Sequence, residues 1–198
     1  MRVVMIAPPG AGKGTQGALL AADLGVPRIA TGDLLRDHVS RRTAIGRAVR
    51  IHLDHGRLVP DDIVLEMVRQ AMVAAQATGG GYVLDGVPRT IAQARAGFDM
   101  ARRLDMTIDM ALHLRVDDHE VRRRMLARAA VEHRSDDTPD VIDRRLRHYH
   151  SSTPPILDWY GRRGVLVSVD GTGTVDTVRD AIHGATGALT TAAVAPAA

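Results

Sequence analysis

Cysteine is absent from the sequence. That excludes a disulfide framework, thiolate catalysis and cysteine-based zinc sites, and it fits a reducing compartment. Aromatic residues are scarce: one Trp, three Tyr and one Phe. Leu, Val, Ile, Ala and Met must therefore form the core, and few rings are left on which nucleic-acid bases could stack. No apolar run is long enough to span a membrane. The run at residues 3–7 breaks at Pro8-Pro9-Gly10, too soon for the apolar region of a signal peptide. The chain thus reads as cytoplasmic, with no membrane partner. Lysine is nearly absent as well: Lys13 is the only one among 26 basic side chains, and the rest are arginine. The net charge of +3 and the pI of 9.9 would suit nucleic acid, but with so few aromatics they read as an enzyme of polyphosphate substrates with no nucleic-acid partner. A length of 198 residues is enough for one domain with a substantial core.

What is present is concentrated at residues 7–15, A-P-P-G-A-G-K-G-T. An apolar run precedes it and residues 16–24 follow with helical spacing, the strand, loop and helix order of a phosphate-binding loop. Gly10, Gly12 and Gly14 let the backbone turn sharply and bring N–H groups near phosphate oxygens. The following helix points its positive dipole end at the same place. The single lysine sits here, where a compact point charge suits a tight loop better than a planar fork. Two positions depart from the general G-x-x-x-x-G-K-[ST] pattern: Ala7 stands where it has Gly, and Gly14 where it has Ser or Thr.

Further along, residues 3–7, 27–29, 82–84, 109–116 and 165–169 read as strands, and segments of helical periodicity separate them. The helices are expected at 14–24, after Thr31 as N-cap, at 43–55, 61–77, up to Arg103, 118–128, 139–149 and 174–185. Residues 130–138 read as irregular, Pro154-Pro155 as a break before a last turn, and 186–198 as a frayed tail. Alternating strands and helices predict an α/β fold, a parallel sheet of five strands covered on both faces. Ligands should then sit over the carboxyl ends of the strands. The loop at 7–15, the segment 31–36 and the segment 85–89 all fall there, and Asp85 ends its strand as a carboxylate facing Mg2+ across from a phosphate loop would.

Together these segments resemble the adenylate kinase family over about residues 1–185. The matching motifs are P-P-G-A-G-K-G-T-Q at 8–16, T-G-D-L-L-R at 31–36, L-V-P-D at 58–61, L-D-G-V-P-R-T at 84–90 with Gln93, R-M-L-A-R at 124–128, R-S-D-D at 134–137 and D-R-R-L at 143–146. The resemblance implies a P-loop kinase fold with a core (1–29, 61–123, 139–185), a helical insertion for the nucleoside monophosphate (30–60) and a short lid (124–138). It implies reversible transfer of the γ-phosphoryl group of ATP to AMP, giving two ADP, with Mg2+ and without a structural zinc, by a monomer. The acceptor is an ionised phosphate, so no general base is needed; the demand is for converging positive charge.

By this resemblance Gly10, Ala11, Gly12, Lys13, Gly14 and Thr15 hold the donor phosphates, with Arg124 on the ATP adenine. Arg36 and Arg89 take the AMP phosphate, while Thr31, Val59 and Gln93 line its adenine and Arg57 and Gly86 complete its site. Lys13, Arg89, Arg124, Arg128, Arg134 and Arg145 act on the transferred group, and Arg128, Arg134 and Arg145 close over the phosphates. Asp33 and Asp85 position Mg2+ through its waters. Of Arg122–Arg124, two are expected to form a solvated basic face. Asp136 and Asp137 are read either as a capping pair before Pro139 or as partners of the lid arginines. Val87 and His133 depart from the family's aromatic and Gly, so acceptor selectivity and lid opening are expected to differ. Two alternatives remain: a kinase for another monophosphate such as UMP or CMP, against which Thr31, Thr90 and Gln93 speak, and an impaired nucleotide-binding chain, which Ala7 and Val87 would motivate.

Overall fold

The computed structural model describes the backbone of residues 1–132 and 138–194 and the side chains of 1–129 and 138–187. Five short segments form strands β1 (Arg2–Ile6), β2 (Arg28–Ala30), β3 (Tyr82–Asp85), β4 (Met110–Arg115) and β5 (Leu166–Asp170). All pair in parallel, in the order β2-β3-β1-β4-β5. The central strands are covered on both faces, which is why they carry almost no polar residue. Alternation along β1 divides the core. Val4 and Ile6 face a layer from α4 (Asp61–Gln76), α5 (Ile91–Arg103) and α7 (Pro139–Gly161), while Val3 and Met5 face α1 (Lys13–Leu24) and α8 (Val175–Val194). His113 is the polar exception within β4. Its imidazole meets the Tyr149 hydroxyl at 2.9 Å and Ser168 Oγ at 3.4 Å. Burial, and then Arg115, hold its pKa below the usual histidine value, so it stays neutral.

The register places the strand ends side by side: Met5 and Ala30 both lie opposite Asp85, and Ile6 lies opposite His113. The loops after β1, β2 and β3 therefore converge at one edge of the sheet. The loop after β2 opens at once into α2 (Thr31–Ser40), which pairs with α3 (Ala44–Asp54). Thr43 caps α3 by accepting from the Gly46 N–H at 3.0 Å. A Cβ at Gly46 would collide with the His38 carbonyl, so only glycine lets the two helices approach this closely. Gly56, at φ +60°, ends the pair.

Four local expectations are corrected. Thr31 is the first residue of α2 rather than its cap; Ala30 occupies the cap, and the Thr31 hydroxyl donates instead to the Asp85 carbonyl at 3.3 Å. Helix α6 (Asp118–Glu132) runs past residue 130. Helix α7 is continuous through Pro154 and Pro155. Both prolines lie on its exposed side, where water satisfies the carbonyls they leave unbonded, while Ile142, Leu146, Thr153, Ile156 and Tyr160 keep one buried stripe in step. Helix α8 reaches Val194, so residues 186–194 extend a helix where fraying is expected; its alanines and Leu189 are strong helix formers. Val87 is 3 % exposed and belongs to the same apolar cluster as Val68, Met72 and Ala94.

Candidate active site

The turn between β1 and α1 is built on left-handed backbone, φ +79° at Gly10 and φ +83° at Gly12. A Cβ at Gly10 would run into Met125, so the loop lies tight against α6. Gly12 is the N-cap of α1 and carries no side chain to cap it. The N–H groups of the first turn are thereby left for an anion's oxygens, with the helix dipole adding to their pull.

Below this loop stands Asp85, 8 % exposed at the end of β3. Its Oδ1 meets Lys13 Nζ at 2.9 Å and its Oδ2 meets Arg28 Nη2 at 2.8 Å. Burial works to raise the Asp85 pKa, but the charges and hydrogen bonds of Lys13 and Arg28 outweigh it and hold the pKa at about 2. Arg28 also reaches Asp33 Oδ2 at 3.0 Å, and Asp33 Oδ1 accepts from Arg36. In the unfolded chain Asp85 would titrate near the ordinary aspartate value of about 3.9. The unfolded state therefore binds this proton first as pH falls, and the stability that Asp85 contributes above pH ~4 is lost on the way down to pH ~2. Acid-unfolding curves of the wild type and Asp85→Asn should consequently converge toward pH ~2, with the wild type steeper between these limits.

Several openings meet at the strand ends, and three of them are lined by residues of the motifs. The first, about 490 Å³, is lined by the loop and by Lys13, Arg36, Arg89, Arg124, Arg128 and Arg145. The second lies between α2, α3 and α5; Thr31, Arg36, Arg57, Val59, Gly86 and Gln93 line it, and Arg89 and Arg145 close its inner end. A third lies between α6 and the loop after β5, with Thr15, Arg124 and Gly171–Val175 on its walls. Arg89 and Arg145 thus stand where the first two join. Arg89 is held from both sides: its backbone N–H donates to Gln93 Oε1 at 2.7 Å and its Nε to the Gly86 carbonyl at 2.8 Å. Gln93 is 3 % exposed and spends its amide on Asp61 Oδ1 at 2.6 Å. Arg124 turns inward, donating to the Gly171 and Thr172 carbonyls at 3.0 Å each and to Glu120 at 2.6 Å. Its neighbours Arg122 and Arg123 face solvent, paired with Asp143 and Glu120, as the basic-face reading expects.

The structure thus gathers the residues of the motifs at 8–16, 31–36, 58–61, 84–93, 124–128 and 143–146 around connected openings. Arg134 lies outside the described residues, as do His133, Asp136 and Asp137. Among the described residues no three His, Cys, Asp or Glu side chains come together as a metal cluster. The two carboxylates beside the loop are Asp33 and Asp85. Such a pair of hard oxygen donors fits a Mg2+ that keeps most of its waters. Sequence reasoning missed Arg28, which joins those two carboxylates, and the carbonyls of 171–173 that orient Arg124. The D-G-T that follows the fifth strand, at a strand's carboxyl end, was the available signal for the second.

The adenylate kinase family model matches residues 5–165. An adenylate kinase of Nocardia farcinica is 46% identical over 180 residues, which are 91% of this chain and 96% of that protein. Those of Thermobifida fusca and Thermus thermophilus are each 42% identical, over 90% and 93% of this chain and 94% and 96% of theirs.

Proposed function

Because this chain belongs to the adenylate kinase family and is a phosphotransferase of that kind, we propose that the three joined openings hold ATP and AMP head to head. The donor adenine lies against Arg124 and the loop at 171–175, the donor phosphates lie in the turn at 10–15, and the acceptor lies between α2, α3 and α5. One observation carries this reading. Lys13, Arg36, Arg89, Arg128 and Arg145 border a single cavity, and three of them, Arg36, Arg89 and Arg145, also border the opening of the second nucleotide.

The chemistry follows from that placement. The acceptor oxygen belongs to an ionised phosphate, so it attacks in line with no base to take a proton. A loose transition state spreads negative charge over the oxygens of the moving group, and the fixed cations at the junction are aimed at that charge. Lys13 serves the transferred phosphoryl group. Arg36 and Arg89 clamp the acceptor phosphate, with planar forks that match its oxygens. Thr31, Val59 and Gln93 line the acceptor base, with Arg57 and Gly86 beside them. Asp33 and Asp85 would hold Mg2+ through its waters, and the ion would neutralise charge on the donor phosphates. In this reading residues 30–60 serve as the acceptor insertion and 124–138 as a short lid, with Arg128 on the donor phosphates. The enzyme acts as a cytoplasmic monomer on ATP, AMP and ADP.

The test is a panel of acceptors, AMP, UMP, CMP and GMP, each with ATP and Mg2+. AMP is expected to give by far the highest kcat/KM, with ADP as the product. A clear preference for UMP or CMP would overturn the acceptor assignment, and nucleotide binding without ADP formation would overturn the catalytic one.

A further inference from the structure

Charges of alternating sign cross the floor of the cleft. Lys13 meets Asp85 at 2.9 Å, Asp85 meets Arg28 at 2.8 Å, Arg28 meets Asp33 at 3.0 Å, and Asp33 meets Arg36. The two ends, Lys13 and Arg36, are cations that the reaction needs on phosphates. The middle one sits differently. Arg28 rises from β2 and lies flat beneath α1. A Cβ at Gly14 would stand 3.4 Å from its Nη2, and one at Gly17 3.6 Å from its Nε. The guanidinium thus lies in van der Waals reach of the backbone of α1 at Gly14 and Gly17. Its Nε is buried without a hydrogen-bond partner, and its two outer nitrogens each hold one carboxylate. A planar fork tied to a carboxylate on each side is held in place at the wall of the cleft.

We propose that Arg28 is a resident counter-ion of the metal-facing carboxylates: it holds Asp85 and Asp33 in place and keeps a bare divalent cation out until nucleotide phosphates arrive. This rests on the reading above, in which those carboxylates face Mg2+. Without nucleotide, three cations (Lys13, Arg28 and Arg36) surround two carboxylates, and each oxygen of Asp85 already has a cationic partner. A dication meets net positive charge there. Once phosphates draw Lys13 and Arg36 away, Arg28 alone faces the two carboxylates. The local charge turns negative and the ion is accepted together with the phosphates. Arg28 is thus a positioning residue that couples metal entry to donor binding.

The test uses the full chain without nucleotide and Mn2+ alone as the probe, with free Mn2+ read by electron paramagnetic resonance. Wild type should bind Mn2+ weakly. Arg28→Gln should bind it about tenfold more tightly or better, because a unit charge within a few ångströms of the site has gone. Arg28→Met is measured beside it, so that the result does not depend on one variant folding; thermal melts followed by circular dichroism check both. Arg28→Lys should stay as weak as wild type, and a lysine variant that binds as tightly as the glutamine one would overturn the charge argument. The gain should vanish in Arg28→Gln/Asp85→Asn. If the gain survives there, the ion binds elsewhere, and both the metal role of Asp85 and this proposal fall. If folded Arg28→Gln and Arg28→Met show no gain while Mg2+-dependent turnover persists, the role of Arg28 alone is overturned.

Discussion

Arg89→Ala should lower kcat at least about a thousandfold, the range in which a transition-state arginine acts in phosphoryl transfer, while the melting temperature changes little. The residue sits in the loop after β3, where the donor and acceptor openings join. Its backbone and its Nε are both anchored, to Gln93 and Gly86. Part of the guanidinium is thus spent on holding its own position, and little reorganisation is needed as the acceptor phosphate loses its charge to the new bond. The side chain is not part of the apolar core, so its removal leaves the scaffold packed. Lys13→Ala should act in the same direction and to a similar extent. It also strips one cation from buried Asp85, so a modest loss of stability accompanies the loss of rate, with Arg28 still in place to keep the carboxylate paired. ADP formation from ATP, AMP and Mg2+, run with far-ultraviolet circular dichroism on the same samples, separates the two effects. A variant that keeps near-full rate would remove its residue from the mechanism.

Gly86→Ala should damage both stability and acceptor binding. Gly86 holds φ at +96°, a conformation that side-chain-bearing residues rarely adopt. An added Cβ would also collide with the Thr31 hydroxyl, which is buried at the start of α2. Backbone strain of about 1–3 kcal/mol and overpacking of about 1–3 kcal/mol act together, so a loss of about 2–6 kcal/mol is expected. For a chain of this length that lowers the melting temperature by roughly 4–24 °C. Relief of the collision moves α2 away from β3. Thr31 and Arg36 on that helix border the acceptor opening, so KM for AMP should rise more than KM for ATP. An unchanged melting temperature, or equal effects on the two substrates, would show that the contact between β3 and α2 does not set the acceptor site.

The parts legible in the sequence are those whose physics is local. A strand, a turn of glycines and a helix with its dipole define the phosphate loop within about fifteen residues. Runs of apolar residues separated by helical spacing point to five parallel strands, because a strand buried on both faces has no polar side to alternate with. Motif order then points to the arginines, and Arg36, Arg89, Arg124, Arg128 and Arg145 do border the joined cavities.

The break expected at Pro154 and Pro155 does not occur. The local rule weighs a lost hydrogen bond and cannot see that the affected carbonyls face water while the opposite side of α7 is packed. The cap expected at Thr31 fails for a different reason. The strand before it ends one residue later than its apolar run, and the hydroxyl finds the carbonyl of a residue 54 positions away.

What the residue string determined unaided is the phosphate loop and the alternation that makes the sheet, since each depends on neighbours within a turn or a strand, and the family, which the order of short motifs along the chain carries. Only the tertiary structure decided that Arg28 joins Asp85 to Asp33, and that the carbonyls of Gly171 and Thr172 orient Arg124. A charge-assisted bond between residues 57 apart depends on the register of β2 against β3, which is not encoded in the stretch around Arg28 itself.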